Sequence, residues 1–230
     1  LNPDADLDEV ARALRENHSC RMCLYGPPGT GKTTYGHWLS KQLNVPIHAQ
    51  KASDILSPYV GMTERNLARV FQKTKEDGGL LLLDEVDTFL QDRKQAHRSW
   101  EVSGVNELLT QMEQFEGVFV ASTNLMEGLD QASLRRFDLK IYFDYLLEKQ
   151  CIQLLNAHSK ELQLGSVSQE ARDKAASLSN ATPGDFANVA RQHRFKRFSS
   201  PEAFMEAVAK ECALKPGSAN KRLGFFAESN

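Results

Sequence analysis

"GPPGTGKT", Gly26 to Thr33, is the stretch whose reading decides the fold of this chain. It satisfies G-x-x-x-x-G-K-[ST] and lies between an apolar run, "RMCLYG" (21 to 26), and a helical pattern, "KTTYGHWLSKQL" (32 to 43). A strand that runs into glycines and then a helix is the order a phosphate-binding loop requires. The glycines let backbone N–H groups turn inward around an anion, and the helix N-terminus adds its positive end. Gly26, Pro27, Pro28, Gly29, Thr30, Gly31, Lys32, Thr33 and Thr34 are therefore candidate nucleotide contacts. Lys32 supplies a point charge for the β- and γ-phosphates, and the Thr33 hydroxyl is a candidate ligand for Mg2+.

Working outward, the apolar pattern repeats the same alternation of strand and helix. "PIHAQK" (46 to 51), "GLLLLDEVD" (79 to 87), "GVFVAST" (117 to 123) and "LKIYFD" (139 to 144) read as further strands. The continuous leucines of the 79 to 87 run require burial on both faces. Helical spacing at Leu7, Val10, Ala11 and Leu14, at Leu67, Val70 and Phe71, and at Val105, Leu108, Leu109 and Met112 fills the intervals. The predicted fold class is α/β: a parallel five-stranded sheet flanked by helices, over residues 1 to 146. After Asp144 only helical patterns follow, at 147 to 162, 168 to 178, 184 to 195 and 201 to 214. Residues 147 to 214 are expected to form a small all-α domain, and 215 to 230 a tail with one apolar patch, Leu223 to Phe226.

Ligands of an open parallel sheet bind outside the carboxyl ends of its strands. Asp84 and Glu85, closing the leucine strand, thus face the same crevice as the glycine loop. Asp84 is expected to hold the metal and Glu85 to accept a proton from an attacking water. Asp87 and Asp92 read as solvated charges.

Composition removes several classes of function. The chain has 230 residues, 41% of them hydrophobic and 25% charged, with a net charge of -2, so nothing pulls it globally towards nucleic acid. Its longest apolar run, Leu80 to Leu83, is far too short for a bilayer, and the N-terminus does not resemble a signal peptide. The first residue is not methionine, which suggests a segment cut from a longer protein. Cys20 and Cys23 form a C-x-x-C without a second pair, so the four cysteines read as reduced core thiols of a cytoplasmic protein. The six histidines have no metal-ligand spacing, and H-E-x-x-H is absent.

Taken together, "GPPGTGKT", "LLLLDEVD" and "VASTN" resemble the AAA+ ATPases, in particular the protein-remodelling and proteolysis-linked branch. The resemblance spans residues 20 to 214 and implies ATP and Mg2+ as ligands, a P-loop NTPase sheet and a helical lid. It implies that Asn124 is a sensor that polarises the nucleophilic water; an amide can do so without changing charge. "LDQASLRRFDLKIYF" (129 to 143) is similar to the segment that presents arginine fingers to a neighbouring subunit, with Arg135 and Arg136 as the candidates. Here the two arginines are adjacent, whereas the family usually separates them. "TPGDFANVARQ" (182 to 192) loosely resembles the lid segment over the nucleotide base, with Gly184 as its contact. No arginine opens that helix, and Arg191 lies about two turns on, so no arginine sensor is expected there. The residues around Asn2 to Leu7 are implied to line the adenine pocket.

The remaining oddity is "SPYVGMTERN" (57 to 66), where Tyr59 and Val60 stand before Gly61 in a polar, turn-rich setting. The family carries its pore loop here, an aromatic, a hydrophobic and a glycine, so these three are implied to grip a translocated polypeptide. Without the family they could equally be core residues at a strand end. "RQHRFKRF" (191 to 198) interleaves cations and aromatics, but Phe195 and Phe198 are expected in the helical core. Arg93, Arg98 and Trp100 could face a central channel or a plain surface. The resemblance implies a hexameric, or at least ring-forming, ATPase that threads a protein substrate. The alternative is a nucleotide-controlled assembly switch that threads nothing.

Overall fold

The computed structural model describes residues 1–90, 99–124 and 131–215. Arg93, Arg98, Asp92 and the Leu223 to Phe226 patch lie outside the described residues, as does the side chain of Trp100. The chain forms two compact units, Leu1–Asp144 and Tyr145–Asn230.

The first unit holds β1 (Cys20–Tyr25), β2 (Ile47–Lys51), β3 (Leu80–Asp84), β4 (Val118–Thr123) and β5 (Leu139–Tyr142). They make one five-stranded sheet in the order β2-β3-β4-β1-β5, and every pairing between them is parallel. Its helices are α1 (Leu7–Asn17), α2 (Lys32–Leu43), α3 (Ala52–Ile55), α4 (Met62–Glu76), α5 (Asp87–Leu90), α6 (Ser99–Gln114) and α7 (Gln131–Leu134). The leucine strand explains the layering. Side chains of a strand alternate between faces, and Leu80 and Leu82 join Met22, Leu24, Val118 and Val120 under α1 and α2. Leu81 and Leu83 join Cys23, Phe119 and Ala121 on the other face, against α4 and α6. Both faces are covered, which is why the run contains no polar residue before Asp84.

Phe119 is fully buried at the centre of the second layer, with Phe71 at 5.4 Å and Phe137 at 6.3 Å between ring centroids. All four cysteines are free and buried. Burial pushes the thiols of Cys20 and Cys23 up to about 11 and about 12, so both stay protonated and unreactive at neutral pH.

The second unit contains α8 (Glu148–Glu161), α9 (Gln169–Ala176), α10 (Pro183–Gln192) and α11 (Pro201–Ala213) around a core that includes Leu155, Phe186, Val189, Phe204 and Val208. Thr182 and Asp185 cap α10 reciprocally, with Pro183 in its first turn, which fixes where that helix begins. The expected place of Phe195 is corrected here. Helix α10 ends at Gln192, and the following turn leaves Phe195 91% exposed, while Phe198 packs on the core. No helix among the described residues is long and apolar enough to cross a membrane.

These environments set the expected cost of truncation. Phe119→Ala should lower unfolding free energy by about 3–5 kcal/mol. Phe195→Ala should change it by no more than about 0.5 kcal/mol. Urea unfolding of the two variants tests both values.

Candidate active site

The site lies along the carboxyl edge of the sheet, and strand order brings its parts together. β4 sits between β1 and β3, with Tyr25 paired to Thr123 on one side and Leu83 to Ala121 on the other. The phosphate loop after β1, the acid pair ending β3 and Asn124 after β4 therefore leave neighbouring strands at one level. Asn124 is exposed.

Gly26 opens the loop with φ 133°, and a Cβ there would fall 2.1 Å from the Phe143 carbonyl oxygen, so only glycine fits this approach of β1 to the end of β5. The Thr30 hydroxyl donates to the Pro27 carbonyl at 2.8 Å and closes the loop on itself. α2 then starts with no side-chain cap, leaving its first N–H groups to an anion. Lys32 is buried and folds back, its Nζ donating to the carbonyls of Gly26 at 2.8 Å and Pro27 at 2.9 Å. Burial pulls its ammonium down to about 8, against the raising influence of the Asp84 and Asp87 carboxylates.

Asp84 is held by bonds to both of its oxygens. Its Oδ2 accepts from the Thr33 hydroxyl at 2.8 Å, and its Oδ1 accepts from the Glu85 N–H at 3.1 Å and from the Ser122 hydroxyl. Thr33 and Asp84 thus present adjacent oxygen donors, the hard donor set that suits Mg2+. Among the described residues no cluster of three or more His, Cys, Asp or Glu forms a metal site made of protein alone.

Glu85 departs from the predicted strand, which ends at Asp84. Its backbone is left-handed, with φ 57°, a strained conformation for a residue with a side chain. The carboxylate is about half exposed and lies 3.6 Å from Lys51 Nζ at the end of β2. Asp87 is also a correction, because it accepts a hydrogen bond from the Thr123 hydroxyl and is not a solvated charge. Sequence reasoning missed Ser122 and Thr123 in "VASTN". Two consecutive hydroxyls at the end of a buried strand beside an acidic strand end were the available signal.

The N-terminal segment runs beside the loop. Pro3 bridges Phe143 in antiparallel fashion, Asp4 N–H donates to the Tyr142 carbonyl at 3.0 Å, and the Leu1 side chain lies against Gly31. Gly184 belongs to the second unit, in the first turn of α10.

Arg135 and Arg136 follow α7. Arg136 is paired through Nε with Glu113 of α6, whereas Arg135 is exposed and forms no ion pair among the described residues. The loop expected to grip a polypeptide, between α3 and α4, does display its side chains. Tyr59 is 74% and Val60 89% exposed, and Gly61 caps α4 with φ 77°. The Thr63 hydroxyl accepts from the Ser57 N–H at 3.0 Å and Asn66 donates to the Ile55 carbonyl at 3.0 Å, so the stem is fastened and the tip projects.

Residues 22–145 match the family described as "ATPase family associated with various cellular activities (AAA)". The chain belongs to this family. The module is 32% identical over 154 residues to the ATP-dependent zinc metalloprotease FtsH of Ureaplasma parvum, covering 63% of this chain and 21% of that protein. Identity to the FtsH protein of Parabacteroides distasonis is 31% over 206 residues, covering 80% of this chain and 29% of that one. An uncharacterised AAA family ATPase of Sinorhizobium fredii, y4kL, is 32% identical over 127 residues, covering 54% of this chain and 38% of that protein. The AAA module thus spans only a minor part of the length of these relatives.

The lowered Lys32 gives a pH signature. Phosphate oxygens favour the charged ammonium, so nucleotide binding near pH 8 should take up a proton, and affinity should fall as the pH rises above about 8. Calorimetry of ATP binding to the Glu85→Gln variant, in two buffers of different ionisation enthalpy, should show the uptake at pH 8 and much less at pH 6.5.

Proposed function

We propose that this AAA module hydrolyses ATP with Mg2+ as one subunit of a ring, hexameric in the full-length protein, and uses the cycle to pull a polypeptide through the centre. One observation carries the reading: a phosphate loop, an acid pair and Asn124 converge on one sheet edge, while the strand beside the acids leads to an exposed Tyr59-Val60 tip.

Roles follow from chemistry. The loop N–H groups and Lys32 bind the β- and γ-phosphates, and Thr33 and Asp84 are the residues that would hold Mg2+. When bound, that ion neutralises charge on the phosphate oxygens. Glu85 accepts a proton from the water attacking the γ-phosphorus. The bond from that phosphorus to the β–γ bridging oxygen breaks, giving ADP and inorganic phosphate, and the proton passes from Glu85 to solvent. Asn124 orients the water as both donor and acceptor. Arg135 is the better placed of the two arginines to reach a neighbouring subunit's γ-phosphate, since Arg136 is engaged by Glu113. A guanidinium supplied in trans makes turnover depend on assembly.

The exposed aromatic and branched side chains at Tyr59 and Val60 offer contact area that does not depend on the sequence being gripped. The printed names of the FtsH relatives join ATP dependence to proteolysis, which supports a polypeptide as the substrate.

Three variants of the full-length protein test this assignment. Glu85→Gln should keep ATP binding and lose hydrolysis by about 10²-fold or more. Arg135→Ala should lower the turnover of the assembled protein by about 10²-fold or more and leave ATP affinity within about twofold. Tyr59→Ala should keep ATPase activity while processing of an unfolded protein falls about tenfold or more, as expected when one aromatic anchor is lost. Loss of both activities would mark the tyrosine as structural. An ATPase that processes no polypeptide under any condition would favour the assembly switch.

A further inference from the structure

The arginine segment is short, and its anchorage is a pairing between two stretches that the sequence shows separately. Asp138, two residues after Arg136, carries it. The Asp138 N–H donates to the Arg21 carbonyl at 2.8 Å, and the Arg21 N–H donates back to Asp138 Oδ2 at 2.8 Å. The Arg21 guanidinium adds two more bonds, Nε to Oδ2 at 3.1 Å and one terminal nitrogen to Oδ1 at 2.9 Å. One residue of β1 thus holds one residue of the segment through four bonds, two of them in the planar fork that fixes direction as well as distance.

The position of this clamp matters more than its strength. Both side chains are partly exposed, at 32% and 45%, so as a surface ion pair it adds little to stability. The ladder between β1 and β5 begins only at Met22 and Leu139, so Arg21 and Asp138 form an extra rung just before it, at the point where the chain leaves the arginines. Arg136 is tied separately to Glu113, and Arg135 stands exposed between α7 and these two ties. Hydrogen bonds from Arg21 hold the Asp138 carboxyl below the usual carboxylate range, and those to Asp138 raise the guanidinium further, so the pair stays charged at neutral pH. Arg21 also lies on the strand that runs into Gly26, so the segment is fixed to the same rigid element that starts the phosphate loop.

We propose that Arg21 is a positioning residue for ATP hydrolysis: through Asp138 it sets the point on the sheet from which Arg135 is offered to the nucleotide of a neighbouring subunit. This rests on the reading that Arg135 acts in trans. In this role Arg21 does not itself contact the nucleotide; the clamp lies in the subunit that donates the arginine, and its effect is read at the neighbour's nucleotide.

Subunit mixing with the full-length protein tests the inference. Asp138→Asn and Arg21→Gln should each lower kcat about tenfold or more, with ATP affinity and KM within about twofold. Arg21→Lys, which keeps the charge and loses the fork, should fall between these and wild type. Each variant retains its own acid pair, so mixing it with Glu85→Gln subunits, which cannot hydrolyse but carry an intact arginine segment, should restore much of the turnover. Arg135→Ala mixed with Glu85→Gln is the reference and should recover likewise. If that reference pair recovers while the Asp138→Asn and Arg21→Lys mixtures do not, the clamp serves the fold of its own subunit and the positioning role is overturned. Unchanged kcat in Asp138→Asn and Arg21→Gln overturns it as well. If the reference pair itself fails to recover, the in-trans reading falls and takes this inference with it.

Discussion

β4 is paired in parallel with β1 over its whole length and with β3 from Val118 to Ala121, and the positions of the groups at the carboxyl edge follow from that double pairing. Because side chains alternate with a period of two, a slip of one residue would turn Phe119 out of its aromatic layer. The same slip would carry Ser122 and Thr123 away from Asp84 and Asp87. Packing and site geometry therefore share one register. The apolar half of β4 secures it, and the polar end puts it to use.

The edge is also organised electrostatically before any ligand arrives. Asp84 accepts from Thr33, from Ser122 and from the N–H of Glu85, so its two oxygens are directed by α2, by β4 and by its own backbone. Such outer contacts orient a ligating carboxylate much as they do in metal sites generally. Glu85 is treated differently. Its backbone is strained, and its carboxylate, 3.6 Å from Lys51 Nζ, remains about half exposed and able to meet a water. Two adjacent acids thus have unlike environments, one fixed and one reachable, as a division between metal holding and proton transfer requires.

The sequence made the local features readable and hid those made across distance. The glycine loop, the leucine strand and the helices of the second unit depend on short-range spacing, and α2, Lys32–Leu43, coincides with its predicted span. The left-handed Glu85 was not legible, because a run of leucines followed by acids reads as one strand until the pairing partner ends. Asp87 read as solvated since nothing in its own neighbourhood names Thr123. The ties of Arg21 to Asp138 and Glu113 to Arg136 join residues far apart in the chain, which no spacing rule connects. Phe195 failed for the opposite reason. Helical periodicity ran on to it, but α10 had already stopped at Gln192.

Lys32, folded onto the carbonyls of Gly26 and Pro27, gives the loop internal acceptors that compete with any anion for the same ammonium. The ammonium already has two acceptors, so an anion would bind it by exchange, and the net gain is the difference between its oxygens and two backbone carbonyls held at a fixed effective concentration. An anion that cannot outmatch those two carbonyls leaves the lysine where it is, so the loop carries its own threshold for occupancy.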